Sequence, residues 1–300
     1  MNESAASPPL SSPLSSAPGS APGSPFSSGL SDARVDAYLD RLGARRPARP
    51  DRAALRELHQ RHLRSVPFEN LSIHLGEEIR LDPDALVDKL TRDRRGGFCY
   101  ELNGAFGALL TALGYPVTLL AARVHGEHGF GPLFDHLALR VDTPEPWLVD
   151  VGFGRHTEFP LRLDERGDQR DPGGVFRVEQ TPDGDLDVLL EGVPQYRLET
   201  RPRTLADFEV ACWWQRTSPK SHFTRSLVCS LTTGTGRVTL SDHTLVTTDA
   251  AGRHQTELPD EALLDAYRDL FGITLPHPPR LRPATAPGSL EEGPAADQLS

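Results

Sequence analysis

The stretch Arg94-Arg95-Gly96-Gly97-Phe98-Cys99-Tyr100-Glu101-Leu102-Asn103 decides the fold around a single cysteine. Two glycines precede this cysteine, and apolar residues at helical spacing follow it, which predicts a helix that begins near Cys99 and ends at Gly114. A thiol at a helix start lies beside unpaired N–H groups and the positive end of the helix dipole, and both favour the thiolate. Because the thiolate is the nucleophilic form, Cys99 is a candidate for covalent catalysis, with a small buried core residue as the alternative.

Apolar spacing divides the rest of the chain into a helical first third and a strand-rich remainder. In the first third, capping residues and helical spacing predict further helices over 32–42, 51–66 and 82–90. Strand-like runs separated by turns then predict an antiparallel sheet or barrel from segments 117–124, 134–141, 147–151, 175–180, 186–190 and 196–199. The last third is mixed, with predicted helices over 205–214 and 260–270 and predicted strands over 227–232, 237–240 and 244–247.

Composition separates both ends of the chain from its centre. Residues 1–30 are dominated by Ser, Pro, Ala and Gly and lack the basic start and apolar run of a signal peptide. Such a segment buries too little apolar surface to offset its ordering entropy, so we predict disordered tails over 1–30 and, by similar composition, over 277–300. About 245 residues remain, enough for one large domain or several small ones.

Charge and cysteine usage exclude several classes of protein. The net charge is −10 without a basic stripe, which argues against a nucleic-acid partner. No apolar run approaches the ~18 residues of a membrane span. The three cysteines, Cys99, Cys212 and Cys229, are widely spaced and include no CxxC pair, which argues against a disulfide scaffold or a structural zinc site. We therefore predict a cytoplasmic protein without a metal, present as a monomer or homodimer.

A catalytic cysteine needs a base within hydrogen-bond reach, and that base needs an orienting group. Among eleven histidines, His136 stands near the start of one predicted strand, and Asp150 stands at the end of the next. Each lies seven residues from Thr143, so a hairpin would place them opposite each other within about one residue of register. A salt bridge at the strand ends is the alternative, although an aspartate in an apolar strand is costly without a partner. His59 and His62 are three residues apart with no evident third ligand, so we assign them packing or surface roles.

Five motifs in order make residues 31–275 resemble the arylamine N-acetyltransferase family. These motifs are Arg95–Asn103, the His136 and Asp150 pair, Val66-Pro67-Phe68-Glu69-Asn70-Leu71, Val151-Gly152-Phe153-Gly154, and Thr217-Ser218-Pro219-Lys220-Ser221-His222-Phe223. The resemblance implies an α+β fold whose catalytic core is similar to that of cysteine proteases. Its parts would be an N-terminal helical bundle with the Cys nucleophile over 31–115, a central antiparallel β-barrel with His and Asp over 116–212, and a C-terminal α/β lid over 213–276.

The resemblance also implies roles for individual residues, with no metal among them. Cys99, His136 and Asp150 would form a catalytic triad. Glu69 and Arg95 would form a buried structural pair. An aromatic wall for the acceptor would consist of Phe68, Phe153 and Phe223. Contacts with coenzyme A would come from Gly152, Gly154, Trp214, Thr217, Ser218, Lys220 and Ser221.

The activity implied by this resemblance is acetyl-CoA-dependent N-acetylation of arylamines, arylhydroxylamines or hydrazines, as in xenobiotic metabolism. It would follow a ping-pong mechanism through an acetyl-cysteine. One alternative is an amide synthase that closes or releases a polyketide chain with the same triad. Others are a thiol hydrolase or transglutaminase and a binding protein that kept the fold without activity.

Overall fold

The first third of the chain folds into helices, as the apolar spacing predicts. The computed structural model describes residues 25–26 and 29–281. The elements of this first third are α1 (Asp32–Leu42), α2 (Arg52–Ser65), β1 (Phe68–Glu69), α3 (Leu71–Leu75), α4 (Pro83–Thr91) and α5 (Cys99–Ala112). The side chains of Ser31, Asp51 and Asp82 accept backbone N–H bonds at the starts of α1, α2 and α4. The short helix α3 was missed because five residues are too few to show a period.

Nine strands form the central antiparallel sheet. They are β2 (Val117–Gly126), β3 (Gly129–Phe130), β4 (His136–Thr143), β5 (Glu145–Val149), β6 (Leu161–Arg162), β7 (Gln169–Asp171), β8 (Gly174–Gln180), β9 (Leu186–Leu190) and β10 (Val193–Leu198). Their order is β6-β5-β4-β2-β10-β9-β8-β7, with β3 paired to β2. The side-chain amide of Gln169 bridges the two edges, accepting from Arg162 N at 2.7 Å and donating to Arg162 O at 2.9 Å. The sheet therefore almost closes into the predicted barrel.

The alternation of side chains along β4 separates two cores. Leu137 and Leu139 pack into the helical core beside α5, whereas Ala138 packs into the barrel core. His136 has the same parity as Ala138 and therefore faces the barrel.

The last part contains the 3₁₀ turn Leu205–Phe208, α6 (Glu209–Thr217), α7 (His222–Arg225), β11 (Val228–Thr232), β12 (Arg237–Ser241), β13 (Thr244–Asp249), β14 (Gly252–Glu257) and α8 (Leu263–Phe271). A second antiparallel sheet has the order β1-β11-β12-β13-β14, so Phe68 and Glu69 of the first third pair with Ser230 and Cys229. β14 was missed because its residues are all exposed and show no apolar alternation.

The predicted boundaries are wrong at three places. α6 crosses the division between residues 212 and 213. Phe26, inside the predicted tail 1–30, is only 5% exposed and packs against α5, where a Cβ on Gly107 would lie 3.0 Å from the Phe26 ring. Pro279, inside the predicted tail 277–300, is also buried. A composition average conceals single residues that fill a core. The remainder of both predicted tails lies largely outside the described residues.

Among the described residues, no helix is long and apolar enough to cross a membrane.

Candidate active site

Cys99 is the first residue of α5, as predicted, and lies on the wall of a cavity of about 1100 Å³. The helical first third, the barrel and the last part of the chain all contribute residues to the lining of this cavity. Gly152 packs directly against the nucleophile, because a Cβ at that position would lie 2.7 Å from Cys99 Cα. This close approach requires glycine in the loop after β5.

The β4–β5 hairpin brings His136 and Asp150 together in a register that differs by two residues from direct pairing, rather than by the predicted one. Leu139 pairs with Val149, so the hairpin centres on Pro144, one residue beyond Thr143. Asp150 is consequently diagonal to His136 on the same face of the sheet. His136 Nε2 lies 2.8 Å from Asp150 Oδ2, and both side chains are buried. His136 Nδ1 is then the ring nitrogen free to exchange a proton elsewhere.

Asp150 is held as a carboxylate. Burial alone would raise its pKa, but His136 and the hydrogen bond from Asn103 outweigh burial and bring the pKa well below its ordinary range. Oδ1 accepts from Asn103 Nδ2 at 2.9 Å and from Gly152 N at 3.0 Å. These bonds leave the carboxylate charged and fixed in orientation, so it can stabilise a positive imidazole ring.

Asn103 is a site residue to which the sequence analysis assigned no role. Its amide nitrogen also donates to Leu137 O at 2.6 Å, and its oxygen accepts from Val151 N at 2.9 Å. It thereby connects the nucleophile helix to β4 and to the loop after β5. The spacing of Asn103 could have indicated this role, since a polar residue four positions after Cys99 lies on the same helix face.

The Cys99 thiol does not gain a low pKa from the helix start alone. Burial raises its pKa well above the ordinary value, and the carboxylates of Asp135 and Asp150 act in the same direction. A thiolate at Cys99 would therefore require a neighbouring positive charge, and the sequence analysis assigned that role to His136.

Further rings pack around His136, and the sequence analysis assigned no role to two of them, Tyr196 and His156. The ring centroids of Phe153 and Tyr196 lie 5.2 and 5.3 Å from that of His136. The hydroxyl of Tyr196 lies 3.2 Å from His156 Nε2. Burial lowers the pKa of His156 to about 4, so His156 is neutral at pH 7. These residues belong to separate strands and loops, and nothing local in the sequence marks their meeting.

The three predicted wall residues all line the cavity that contains Cys99. Phe68 and Phe223 are adjacent, with ring centroids 6.3 Å apart, and Phe153 covers the other side against His136. The structure thus places aromatic rings on both sides of the space in front of the thiol.

Only some of the predicted coenzyme A residues line this cavity: Gly152, Gly154, Trp214 and Lys220. Ser221 is 1% exposed, and its hydroxyl donates to Gln215 Oε1 and accepts from Phe223 N to cap α7. The Ser221 hydroxyl is thus engaged within the fold as donor and as acceptor, and Ser221 does not line the cavity. Thr217 and Ser218 lie outside the lining, with Thr217 Oγ1 bonded to Trp213 O at 2.7 Å.

Glu69 and Arg95 form a buried ion pair, with 3.1 Å between Arg95 Nε and Glu69 Oε1. Burial would raise the pKa of Glu69, but Arg95 outweighs it and lowers the pKa. Glu69 also accepts from Gly96 N at 3.2 Å and from Leu71 N at 2.6 Å. A Cβ on Gly96 would lie 1.9 Å from Pro67 O, so this turn needs glycine. The pair holds the backbone that leads into Cys99.

His59 and His62 are both buried packing residues. His59 Nδ1 lies 3.0 Å from Glu158 O, and His62 Nε2 lies 2.9 Å from Tyr38 Oη. Within residues 25–26 and 29–281, no group of three or more His, Cys, Asp or Glu side chains is placed to hold a metal ion. All three cysteines are free and buried.

Comparison with known proteins agrees with this geometry. A family profile described as N-acetyltransferase matches residues 51–279. An arylamine N-acetyltransferase from Mycobacterium tuberculosis is 37% identical over 248 residues, which cover 79% of this chain and 88% of the relative. The chain therefore belongs to the arylamine N-acetyltransferase family.

Comparison with solved structures shows that the fold is similar as well. The Mycobacterium marinum arylamine N-acetyltransferase in complex with CoA is 34% identical with a TM-score of 0.73, over 80% of this chain and 92% of that one. The arylamine N-acetyltransferase from Salmonella typhimurium is 31% identical with a TM-score of 0.76, over 81% and 92%. The predicted α+β fold is confirmed.

Proposed function

We propose that this chain transfers the acetyl group of acetyl-CoA to the nitrogen of an arylamine, arylhydroxylamine or hydrazine through an acetyl-Cys99 intermediate. The observation that carries the proposal is the meeting of Cys99 and the His136–Asp150 pair on one cavity wall between aromatic rings. A relative described as an arylamine N-acetyltransferase and N-hydroxyarylamine O-acetyltransferase, from Salmonella typhimurium, is 34% identical over 235 residues.

In the first half-reaction, the Cys99 proton passes to His136 Nδ1, and Asp150 stabilises the resulting imidazolium. The thiolate attacks the thioester carbonyl and forms a new C–S bond, while the bond to the coenzyme A sulfur breaks. The leaving thiolate takes the proton from His136. Backbone N–H groups at the start of α5, including that of Cys99, would stabilise the oxyanion. Gly152, Gly154, Trp214 and Lys220 would contact the donor, with Lys220 as a point charge for a phosphate.

In the second half-reaction, the amine nitrogen attacks the acetyl-Cys99 carbonyl, and His136 accepts the proton that nitrogen loses. The C–S bond breaks, and the proton returns to the Cys99 sulfur. An aromatic amine suits this step because its conjugate acid has a low pKa, so the nucleophilic free base is present at neutral pH. The free thiol of Cys99 suits a reducing compartment, and we propose the cytoplasm as its location.

The direct test is intact-mass and peptide mapping after mixing the protein with acetyl-CoA and no acceptor. We expect one acetyl group on Cys99. Cys99→Ser should acquire none, whereas Cys212→Ser should behave as wild type, because Cys212 is buried and does not line the cavity. Acetylation at another residue, or none, would remove this mechanism. Release of acetate without an acceptor would identify a thiol hydrolase instead.

A further inference from the structure

The sheet β11–β14 presents a polar wall to the cavity that contains Cys99. Along β12, Val238 and Leu240 are buried against α8, while Arg237 and Thr239 point the other way into the cavity. The strand pairing places Thr248 of β13 opposite Arg237, on the same face. This wall carries a guanidinium among hydroxyl groups.

Arg237 is held by neutral acceptors only. Nη1 donates to Ser230 Oγ at 3.0 Å, and Nη2 donates to Thr232 Oγ1 at 3.0 Å and to Gly154 O at 2.9 Å. Among the ion pairs of residues 25–26 and 29–281, no carboxylate lies within 4.0 Å of it. A guanidinium has five N–H donors and is always charged. Its Nε–H and one Nη1–H therefore lack a partner within the described residues, and its charge has no counter-ion there.

The cavity lining is cationic although the whole chain has a net charge of −10. The acidic side chains in the lining are already engaged: Asp135 accepts from Gln215 at 2.6 Å, and Glu158 pairs with Arg64 at 3.2 Å. The basic side chains in the lining are Arg155, Lys220, Arg225, Arg237 and Arg253. Charge complementarity therefore favours an anionic ligand.

Arg237 reaches the acceptor side of the cavity. Gly154, whose carbonyl it binds, is packed against Phe68, since a Cβ there would lie 3.8 Å from the Phe68 ring. Two residues earlier in the same loop, Gly152 packs against Cys99. The guanidinium is thus linked through one short loop to both the aromatic wall and the nucleophile.

We propose that Arg237 binds the carboxylate of an acidic arylamine, with the ring against Phe68 and the amine directed at acetyl-Cys99. The proposal names the acceptor class and rests on the proposed function. A charge-assisted hydrogen bond of this kind corresponds to roughly a 10- to 100-fold preference over a neutral analogue.

The test compares 4-aminobenzoate with its neutral analogue 4-aminobenzamide in the second half-reaction alone. The protein is first acetylated at Cys99, and the rate at which each acceptor removes the acetyl group is measured. We expect wild type to prefer 4-aminobenzoate about 10-fold or more. Arg237→Gln should lose that ratio, and Arg237→Lys should keep part of it. Arg268→Gln is the matched control and should keep the full ratio, because Arg268 is exposed and does not line the cavity.

Three results would overturn the proposal. Wild type could show no preference for 4-aminobenzoate. Arg237→Gln could slow both acceptors equally, which would make Arg237 a purely structural link to Gly154. Arg237→Gln could instead slow acetylation of Cys99 by acetyl-CoA, which would assign the guanidinium to a phosphate of the donor.

Binding of 4-aminobenzoate and 4-aminobenzamide to the unacetylated protein, measured by calorimetry, separates this proposal from the proposed function. If Cys99 is not acetylated, the proposed function fails, yet a carboxylate preference that Arg237→Gln abolishes would still support the site. Thermal unfolding of each variant shows whether it folds.

Discussion

Two walls of the same cavity differ in how their polar groups are held. On the wall formed by α5 and the β4–β5 hairpin, His136, Asp150 and Asn103 are buried and bonded to one another and to the backbone. On the wall formed by β11–β14, the partners of Arg237 among residues 25–26 and 29–281 are neutral groups, and two of its N–H donors have no partner there. Polar groups whose hydrogen bonds are all made within the protein are held in fixed positions, which suits catalysis. A charged group without a counter-ion can still pair with a ligand, which suits substrate binding. The following changes test that comparison.

The largest effect is expected from Asp150→Asn. The amide keeps the shape of the carboxylate but cannot stabilise an imidazolium, and it favours the wrong tautomer of His136. Acetylation of Cys99 should fall by about 10³- to 10⁴-fold while the thermal midpoint changes little. Rapid-quench mass spectrometry measures the rate. Asp142→Asn is the control, because Asp142 is a partly buried carboxylate of the same hairpin that pairs with Arg140 and not with His136. Near-normal acetylation by Asp150→Asn would exclude Asp150 from the triad.

Glu69→Ala tests the buried pair beneath the nucleophile turn. It leaves the Arg95 guanidinium without its buried partner and frees the backbone N–H groups of Gly96 and Leu71. We expect a loss of about 3–5 kcal/mol in the free energy of unfolding, measured by denaturant titration. A loss below about 1 kcal/mol would show that the pair does not hold this turn.

His156 predicts a pH dependence of stability. Its pKa is lowered from 6.5 to about 4 in the folded protein, so the unfolded chain binds the proton more readily. Stability linked to His156 is therefore complete above about pH 6.5 and is lost as the pH falls towards 4, by about 3 kcal/mol. The free energy of unfolding of His156→Gln should fall less over this range than that of wild type. Parallel curves would contradict the assignment.

The smallest effect is expected at an exposed pair outside the cavity. Arg268 Nη2 lies 2.7 Å from Asp265 Oδ1, and both side chains are more than half exposed. Solvent screens such pairs, so Arg268→Gln should leave the free energy of unfolding unchanged within the precision of a denaturant titration. A loss as large as that of Glu69→Ala would remove the contrast between buried and exposed pairs.

The sequence analysis predicted the wall formed by α5 and the β4–β5 hairpin better than the wall formed by β11–β14. The helix start at Cys99 and the hairpin that carries His136 and Asp150 follow from local periodicity and turn position. The structure forms both, with the hairpin register two residues from direct pairing of His136 and Asp150. In the sheet β11–β14, the strand β14 was missed because it is exposed throughout and shows no apolar alternation, and the sequence analysis assigned no role to Arg237. Phe26 was missed because a single buried ring is invisible in the composition of a Ser/Pro-rich segment.

Short-range spacing predicted most of the helices and strands, the helix start at Cys99 and the hairpin that carries His136 and Asp150, because the chain holds that information locally. The packing of distant segments placed Asn103 beside that pair, engaged the Ser221 hydroxyl in capping α7, and put Arg237 in the lining of the cavity that contains Cys99. These outcomes depend on which distant segments pack together, and side-chain spacing along the chain holds no information about that.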